Sequence, residues 1–417
     1  MVDASDFFGE EEGESSVGGE QQGDDGWPKH LKEISHLGSG SYGDVYLCAD
    51  ERCGDKVAVK HVRNATSQGK VVLREIRFLA RLRHENLLHL LDLPAVPSRG
   101  FKDMFLVLPY LPTDLDKVIH DRPNDHLSDG HAKFIVSQIL RAVGHLHAAG
   151  VAHRDLKPAN VLLSDAFRVK VCDFGLARCG MQFDAEVDRR DQAPSRGRRG
   201  GHLTEHVVTR EYRAPEVMLR PKNYTPAIDI WSVGCILGEI LLRKVVFEGR
   251  DKVELICRMA EVLGTPVESD LGWLPHDSDA YRFVKLVCPM VKGATLAALL
   301  PGKPRASIDL MRGLLRWHPG QRLTAAQAQR HEYLKTHFKP PPPKPEPFDW
   351  SFDDYKPTPE KIQELLYREC ASYHPEMLRH DAPSKLQTLR AALPAMVSPR
   401  VLSSLRGVLG ARKAAGA

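Results

Sequence analysis

The sequence predicts an α+β fold, because β-type runs and an amphipathic helical segment follow one another in the same chain. Residues 45–47 and 57–62 are rich in β-branched and aromatic side chains, which favour strands. Shortly afterwards Val72, Ile76 and Leu79 recur at helical spacing and form one apolar stripe. The chain has 417 residues, which leaves room for one large or two ordinary domains.

A glycine-rich run leads into the first β-type run. It follows a G-x-G-x-x-G-x-V spacing through Leu37, Gly38, Ser39, Gly40, Ser41, Tyr42, Gly43, Asp44 and Val45. Because glycine has no Cβ, the backbone of such a run can approach phosphate groups closely. Dinucleotide-binding folds use a similar run, but there a helix follows it, whereas a strand is predicted here. The run is therefore interpreted as a cover for nucleotide phosphates outside a dinucleotide fold.

The second β-type run carries Lys60, which is a candidate ligand for phosphate. Alternate residues of a strand share a face, so Ala58 and Lys60 point the same way. That face would set a small residue against an adenine ring and an ammonium against the phosphates. Glu75, in the predicted helix but off its apolar stripe, is the candidate anion that holds Lys60. An ordinary solvated glutamate is the alternative.

The most informative stretch reads HRDLKPAN and is followed by the tripeptide DFG. Within about twenty residues it supplies Asp155, Lys157, Asn160 and Asp173. Phosphoryl transfer needs positioning, Mg²⁺ and charge neutralisation more than covalent help. Asp155 can accept the hydrogen of an attacking hydroxyl, and Lys157 can sit beside the transferred phosphoryl group. Asn160 and Asp173 offer hard oxygen ligands for Mg²⁺. A solvated loop with scattered charges is the alternative, and the joint spacing of the two motifs argues against it.

Together these motifs resemble those of the eukaryotic protein kinases, over residues 29–334. Further landmarks of that family are similar here, namely the tripeptide at 214–216, Asp229 before an apolar helix, and Arg322 as the partner of Glu216. The resemblance implies a bilobal fold, with a small, mostly antiparallel sheet and one helix, then a larger helical lobe. It also implies ATP and Mg²⁺ as cofactors.

The same resemblance implies the walls of an ATP cleft. Leu111 would give its backbone N–H to adenine, Leu162 would form the floor, and Leu108 would occupy the gatekeeper position. Lys60 and Glu75 correspond to the lysine of the third strand and the glutamate of the adjacent helix in that family.

Within that family the chain resembles the mitogen-activated protein kinases. Residues 207–216, VVTREYRAPE, and residues 247–266 are similar to segments of the proline-directed group, in which Arg213 frees the substrate site to accept proline. Residues 362–370 resemble the C-terminal helix that packs back on the small lobe. The resemblance implies a serine/threonine kinase that acts on Ser/Thr-Pro sites of proteins and is switched on by an upstream kinase. Two alternatives stay open: a cyclin-dependent-like enzyme that needs an activating subunit, and a pseudokinase scaffold.

Regulation is expected to depend on Thr204. Three arginines match those that gather a phosphothreonine in this family: Arg74, Arg154 and Arg178. The family's T-x-Y motif here reads T-E-H, and the imidazole of His206 cannot replace the phosphotyrosine that engages Arg210 and Arg213. We therefore expect that Thr204 alone carries activation. An unmodified loop threonine is the alternative.

The ends of the chain differ from its middle. Residues 1–27 carry nine acidic side chains and no Lys or Arg, so disorder is expected there. Residues 28–338 are interpreted as the kinase domain, with the small lobe ending at about residue 110. Residues 339–380 are interpreted as a proline-rich connector and an extension that packs back on the kinase. Residues 381–417 are interpreted as a basic, disordered tail, with a docking or localisation helix as the alternative.

Composition excludes few classes and implies few partners. The net charge is +4 with 27% charged residues, so no nucleic-acid partner is expected. The longest apolar run, residues 231–242, contains Glu239 and is too short to span a bilayer, so no membrane partner is expected. The eight cysteines show no C-x-x-C spacing, and the acidic start is not a signal peptide. The expectation is a monomer in the cytoplasm or nucleus.

Overall fold

The computed structural model describes residues 27–40, 43–121, 127–179, 210–219, 225–288, 296–345 and 357–380. The predicted acidic segment up to residue 26 and the basic tail from 381 lie outside these ranges, as does the loop from 180 to 209 that contains Thr204.

Four antiparallel strands form the sheet of the small lobe, in the order β1-β2-β3-β4. They are β1 (Leu31–Gly40), β2 (Gly43–Asp50), β3 (Lys56–Val62) and β4 (Met104–Pro109). In this register Lys60 lies between Val45 of β2 and Leu106 of β4. Both β-type runs predicted from the sequence are therefore strands, and they are neighbours in one sheet.

One helix, α1 (Gly69–Arg81), lies between β3 and β4 in the chain and packs on this sheet. Its predicted stripe of Val72, Ile76 and Leu79 is buried, which confirms the helical period. A basic residue, Arg81, occupies the last turn, where its positive charge interacts favourably with the negative end of the helix dipole.

The large lobe is mainly helical. Its helices are α2 (Leu115–His120), α3 (Asp129–Ala148), α4 (Pro215–Leu219), α5 (Ala227–Leu242), α6 (Lys252–Leu263), α7 (Asp279–Val287), α8 (Leu296–Leu299), α9 (Arg305–Leu314) and α10 (Ala325–Gln329). The long helices α3 and α5 pack against each other. Helix α5 is buried along almost its whole length, and its Trp231 stacks on Phe247 with ring centroids 5.3 Å apart. This helix is the centre of the lobe's core.

Short strands bring the motif residues to the junction of the lobes. A three-stranded sheet has the order β5-β7-β8, formed by β5 (Thr113–Asp114), β7 (Val161–Leu163) and β8 (Val169–Val171). A second pair joins β6 (Val151–Ala152) to β9 (Arg178–Cys179). The small sheet with one helix and the larger helical lobe confirm the predicted α+β, bilobal architecture.

The last two described helices, α11 (Pro359–Tyr373) and α12 (Glu376–His380), return to the small lobe. Helix α11 packs against α1, and a Cβ added at Gly69 would lie 2.0 Å from Cγ2 of Ile362. Glycine at the start of α1 therefore permits this close approach. Within the described ranges, no helix is both long and apolar enough to cross a membrane.

Two imidazoles, the half-buried His84 and the buried His145, meet where the loop after α1 contacts α3. The rings of His84 and His145 lie 4.9 Å apart. Burial, reinforced by the neighbouring His145 and Arg141, lowers the pKa of His84 from 6.5 to about 4. Burial also lowers the pKa of His145. Folding therefore favours the neutral form of both side chains.

This pair predicts a loss of stability in mild acid. Because the folded pKa of His84 lies below its unfolded value of 6.5, the contribution of the neutral form is complete above pH 6.5 and is lost toward pH 4. Replacing His145→Phe keeps the ring and removes one proton site. We expect the fall in Tm between pH 7 and pH 5.5 to be smaller in this variant than in the wild type, measured by thermal unfolding. The variant His276→Gln, at an exposed histidine, should keep the full fall. An equal fall in all three proteins would contradict the prediction.

Candidate active site

The glycine-rich run is the hairpin between β1 and β2, in which Gly40 pairs with Gly43. A Cβ at Gly43 would lie only 2.0 Å from the carbonyl oxygen of His61, so this position requires glycine. A Cβ at Gly38 would meet nothing within 4 Å, so open space adjoins the backbone there. Two residues of the run, Ser41 and Tyr42, lie outside the described residues.

The polar side chains of this hairpin bind each other. The hydroxyl of Ser39 donates to Oδ1 of Asp44 at 2.6 Å, and Arg63 lies 2.7 Å from the same carboxylate. The hydrogen bond from Ser39, together with the charge of Arg63, lowers the pKa of Asp44. Leu37 is exposed and Val45 is half-buried. Ser39 and Asp44 therefore brace the hairpin, whose main-chain atoms remain available to a phosphate.

Lys60 and Glu75 form a close ion pair between β3 and α1. Nζ of Lys60 lies 2.6 Å from Oε1 of Glu75, and the side chains are only 14% and 6% exposed. Burial by itself would lower the pKa of Lys60, but the carboxylates of Glu75 and Asp173 outweigh it and raise the pKa. Glu75 is thus a buried partner and not a solvated glutamate. The ammonium is held charged where the two lobes meet.

An apolar wall follows the end of β4. Ala58 of β3 pairs with the buried Leu108 of β4. Leu111, Leu162 and Ala58 are half-buried and pack on the main core with part of their surface uncovered. A flat apolar ring system would bury these surfaces further.

Cys172 lies at the same wall, directly before Asp173. Burial, and secondarily the carboxylate of Asp173, raises the pKa of the Cys172 thiol. A protonated thiol is a weak nucleophile, so an apolar lining role suits this residue better than covalent chemistry.

A buried carboxylate organises the loop that carries the catalytic residues. The backbone N–H groups of His153 and Arg154 donate to the two oxygens of Asp229 at 2.9 and 2.8 Å. The ring of His147 lies 2.9 Å from the same carboxylate. Burial alone would raise the pKa of Asp229, but the hydrogen bond and charge of His147 and the other donors lower it. Arg154 adopts φ +74°, a strained value that these bonds hold in place.

Asp155 is the centre of a contact network within that loop. Nζ of Lys157 lies 3.1 Å from Oδ2 of Asp155. Nδ2 of Asn160 donates to the carbonyl oxygen of Asp155 at 2.7 Å and to Oδ2 at 3.1 Å. Because its amide nitrogen is used twice, Asn160 presents its oxygen as the atom that could bind a cation.

Asp173 is brought beside Asn160 by the hairpin of β7 and β8. The strand pairing Val161 to Val171 continues one step further, where the N–H of Cys172 donates to the carbonyl of Asn160 at 3.0 Å. Asp173 is the next residue, has φ +63°, and is exposed. A carboxylate and an amide oxygen on neighbouring strand ends form a donor set that fits Mg²⁺.

The four predicted parts therefore meet at one junction. The ammonium of Lys60 lies beside the hairpin strand β2 and within reach of the charge of Asp173, and Asp173 follows the strand next to Asn160 and the Asp155 network. Such a set can position a phosphoryl donor, neutralise its charge, and orient an attacking hydroxyl.

The start and the end of the activation segment, residues 173–216, are anchored. Arg74 of α1 donates to the carbonyl of Gly175 at 3.4 Å, and Arg178 of β9 pairs with Ala152, two residues before Arg154. The predicted arginines thus come from adjoining elements. Thr204 lies outside the described residues.

The far end of the segment is held by Glu216. Its oxygens bind Nη1 and Nη2 of Arg322 at 2.6 and 2.7 Å, and both side chains are buried. The guanidinium of Arg322 also lies 5.1 Å from the ring centroid of Trp231. Arg210 accepts a backbone hydrogen bond from Arg213 at 3.0 Å, so these two residues form a turn just before this anchor.

Sequence reasoning missed the contacts of another buried carboxylate, Glu239. It is fully buried in α5, accepts the hydroxyl of Tyr212 at 2.7 Å, and lies 2.8 Å from the ring of His120. Burial is the main reason that the pKa of Glu239 is raised. The hydroxyl of Ser232 also donates to the carbonyl of Tyr212 at 2.9 Å. A single charge inside an apolar helix was the available signal.

A further buried carboxylate, Glu369, ties α11 to α1. It accepts from Nε of Arg77 at 2.6 Å and lies 3.5 Å from Nη2 of Arg81. Both arginines belong to the helix that carries Glu75. The C-terminal helix therefore fixes the helix on which the Lys60 ion pair depends.

Comparisons with known proteins all indicate the same family, the protein kinases. Residues 31–334 match the protein kinase domain. The chain is 37% identical to mitogen-activated protein kinase 4 of Arabidopsis thaliana over 84% of this chain and 89% of that protein. It is 37% identical to mitogen-activated protein kinase 3 of Arabidopsis thaliana over 83% and 90%. It is 36% identical to mitogen-activated protein kinase 6 of Oryza sativa subsp. japonica over 84% and 89%.

The Glu369 contact predicts that a residue far from the chemistry controls the rate. Replacing Glu369→Gln removes the buried carboxylate that binds the half-buried Arg77, at a cost of about 3 kcal/mol to the packing of α11 on α1. We expect a lower Tm and a phosphoryl-transfer rate reduced about 5- to 50-fold, because α1 no longer holds Glu75 firmly. Steady-state kinetics and thermal unfolding measure the two effects.

The matched control is Glu364→Gln, the same change on the same helix. Glu364 pairs with Arg99 and Arg368, which are 53% and 65% exposed. Loss of such surface pairs costs about 0–1 kcal/mol, so activity should change little. Equal losses in both variants would contradict the specific role of Glu369.

Proposed function

The chain belongs to the protein kinase family and is a serine/threonine kinase similar to mitogen-activated protein kinases, and from that premise we propose a proline-directed enzyme activated through Thr204 alone. The observations that most support catalytic activity are the 2.6 Å ion pair of Lys60 and Glu75 and the contact of Lys157 with Asp155. These contacts are the ones that distinguish a catalytic arrangement from a scaffold that only keeps the fold.

We assign nucleotide binding to the cleft between the lobes. ATP is the substrate that a protein kinase domain implies. The β1–β2 hairpin would cover its phosphates, Lys60 would bind them, and the wall of Ala58, Leu108 and Leu162 would take the adenine, with the backbone of Leu111 beside it. Asn160 and Asp173 would hold Mg²⁺, which neutralises the phosphate charge when bound.

Within this assignment Asp155 orients the hydroxyl of the substrate and accepts its hydrogen. Asp155 is suited to this role because Lys157 and Asn160 contact the same carboxylate oxygen and fix its direction. Lys157 would remain beside the transferred phosphoryl group and stabilise the charge that develops on it.

Selection of proline is proposed for the turn before Glu216. Glu239 binds the hydroxyl of Tyr212, and Ser232 binds its backbone carbonyl. These two hydrogen bonds restrain Tyr212 and thereby the backbone of the neighbouring Arg213. In the family that this chain resembles, an arginine at that position frees the backbone to accept proline after the target hydroxyl. Protein substrates with Ser-Pro or Thr-Pro sites follow from this assignment.

Activation is proposed to depend on Thr204. A phosphate of nearly two negative charges would bind Arg74, Arg154 and Arg178, which come from α1, the catalytic loop and β9. Such binding would join the two lobes through the activation segment. His206 would contribute no second phosphate to Arg210 and Arg213, so a single modification would suffice.

The relatives indicate the binding partners of this chain only in general terms. Mitogen-activated relatives imply protein substrates and an upstream kinase. We further propose a monomer in the cytoplasm or nucleus with no nucleic-acid or membrane partner, an expectation supported by the modest net charge of +4.

A cyclin-dependent-like enzyme is the alternative. That enzyme would take a separate subunit against α1. Here α11 of the same chain already occupies part of α1, through Ile362 at Gly69 and Glu369 at Arg77. This intramolecular contact favours an enzyme that needs no such subunit.

Catalysis is tested by replacing Asp155→Asn. The variant keeps the size of the side chain but cannot accept the hydroxyl hydrogen, so we expect the rate to fall about 100- to 10,000-fold with Mg²⁺-ATP affinity retained. The assay uses two peptides that differ only in Pro or Ala after the serine. The wild type should favour the proline peptide at least about tenfold. Equal rates of wild type and variant would indicate a scaffold, and equal use of the peptides would exclude proline direction.

Activation is tested by replacing Thr204→Ala in the full chain. Without the phosphate acceptor, the three arginines keep their mutual repulsion and we expect a rate about 10- to 100-fold below that of the phosphorylated wild type. The control His206→Ala should keep the wild-type rate. Mass spectrometry over residues 181–209 should find phosphate on Thr204 in the active form only. Full activity of unphosphorylated protein would end this part of the proposal.

A further inference from the structure

A proline-rich segment at the edge of the large lobe has no role in the catalytic cleft. After the 3-10 segment Glu332–His337, residues 339–345 read KPPPPKP and form neither helix nor strand. Proline fixes φ near −65° and has no backbone N–H, so such a run prefers the polyproline II conformation. Its carbonyl groups form no hydrogen bond among the residues that the structure describes. The composition of the segment therefore favours an extended conformation with free carbonyl groups.

This connector, residues 339–345, rests only loosely on the lobe. Residues 339–344 are exposed and Pro345 is half-buried. Between the prolines and a floor that includes Gly144, Ala148 and Gln329 lies a cavity of about 190 Å³. Atoms that border an unfilled space lack contacts on that side, so the lobe holds these prolines weakly.

The connector also carries uncompensated positive charge. Lys339 and Lys344 are exposed and form no ion pair within the described part of the chain. Arg330 lies nearby, with its guanidinium 5.9 Å from the ring centroid of Phe338. Phe338 itself is 40% exposed. A partner that fits this surface must combine an apolar groove with carboxylates.

We propose that the connector is a docking site for a protein with an SH3-type domain, that is, an aromatic-lined groove with an acidic pocket at one end. Polyproline II has three residues per turn, so Lys339, Pro342 and Pro345 lie along one edge, about 9 Å apart at each step. Proline residues three apart suit the ridged groove of such a domain, and a lysine at the same spacing reaches its acidic pocket. The proposal goes beyond the kinase activity and does not depend on it.

The spacing of charge selects this partner over a WW-type domain. Both domain types recognise polyproline II through aromatic side chains. A basic residue in register with two prolines gains energy only where the groove ends in carboxylates. Lys339 satisfies that register and is free of competing ion pairs among the described residues.

The test uses the full-length chain and a panel of purified ¹⁵N-labelled SH3 domains whose grooves end in an acidic pocket. Chemical shifts of the groove residues are followed by NMR as unlabelled kinase is added. The variants are Lys339→Glu and the double replacement Pro342→Ala with Pro345→Ala. A matched control carries Pro301→Ala with Lys303→Glu, which makes the same two kinds of change at another exposed turn.

We expect saturable binding of the wild type and of the matched control with a Kd below about 1 mM. Both connector variants should bind at least about tenfold more weakly. Lys339→Glu loses the positive charge for the acidic pocket, and the double proline replacement loses the two rings that fill the groove. All variants should keep the wild-type Tm and peptide phosphorylation rate, which separates this result from failure of the catalytic proposal.

Three outcomes would overturn the docking site. They are no saturable binding by any domain of the panel, equal affinity of the wild type and the connector variants, and an equal loss in the matched control. If WW domains bind the chain and the replacement Lys339→Glu does not weaken that binding, the partner is a WW-type and not an SH3-type domain.

Discussion

The buried carboxylate of Asp229 is the interaction on which the active centre depends. An ionised carboxylate is costly to bury unless donors compensate it, and here two backbone N–H groups and the ring of His147 do so within 2.9 Å. The same bonds hold Arg154 at φ +74° and thereby set the direction of the chain as it enters Asp155. The carboxylate belongs to α5, which is buried along almost its whole length. The loop that carries Asp155 is therefore attached to a rigid part of the core.

Helix α5 fixes the end of the activation segment by the same means. Its Glu239 binds Tyr212, its Ser232 binds the backbone of Tyr212, and its Trp231 lies under Arg322, which holds Glu216. One helix therefore positions both the loop that carries the catalytic carboxylate and the end of the activation segment. Because an unpaired buried polar group is costly, these contacts are specific as well as stabilising.

The small lobe lacks such a core helix and is held differently. The ion pair of Lys60 and Glu75 requires α1 to stay against β3, and α1 meets the C-terminal helix α11 through Gly69, Arg77 and Arg81. Chain that follows the catalytic domain thus stabilises the helix that the nucleotide site needs. The connector that leads to it, residues 339–345, crosses the large lobe with little contact, which leaves it accessible for another protein.

Sequence by itself determined the local parts. Residues 45–47 and 57–62 were predicted as β-type and lie in β2 and β3, and the stripe of Val72, Ile76 and Leu79 is the buried face of α1. The motifs placed Asp155, Lys157, Asn160 and Asp173 within one short stretch. These predictions succeed because strand and helix periods, and the chemistry of a contiguous loop, are encoded by neighbours in the chain. Only the tertiary structure decided that His147 and Asp229 meet across 82 positions, that Arg77 and Glu369 meet across 292, and that Glu75 is buried. The physical reason is that these carboxylates look like solvated surface charges until folding removes their water and supplies a distant donor.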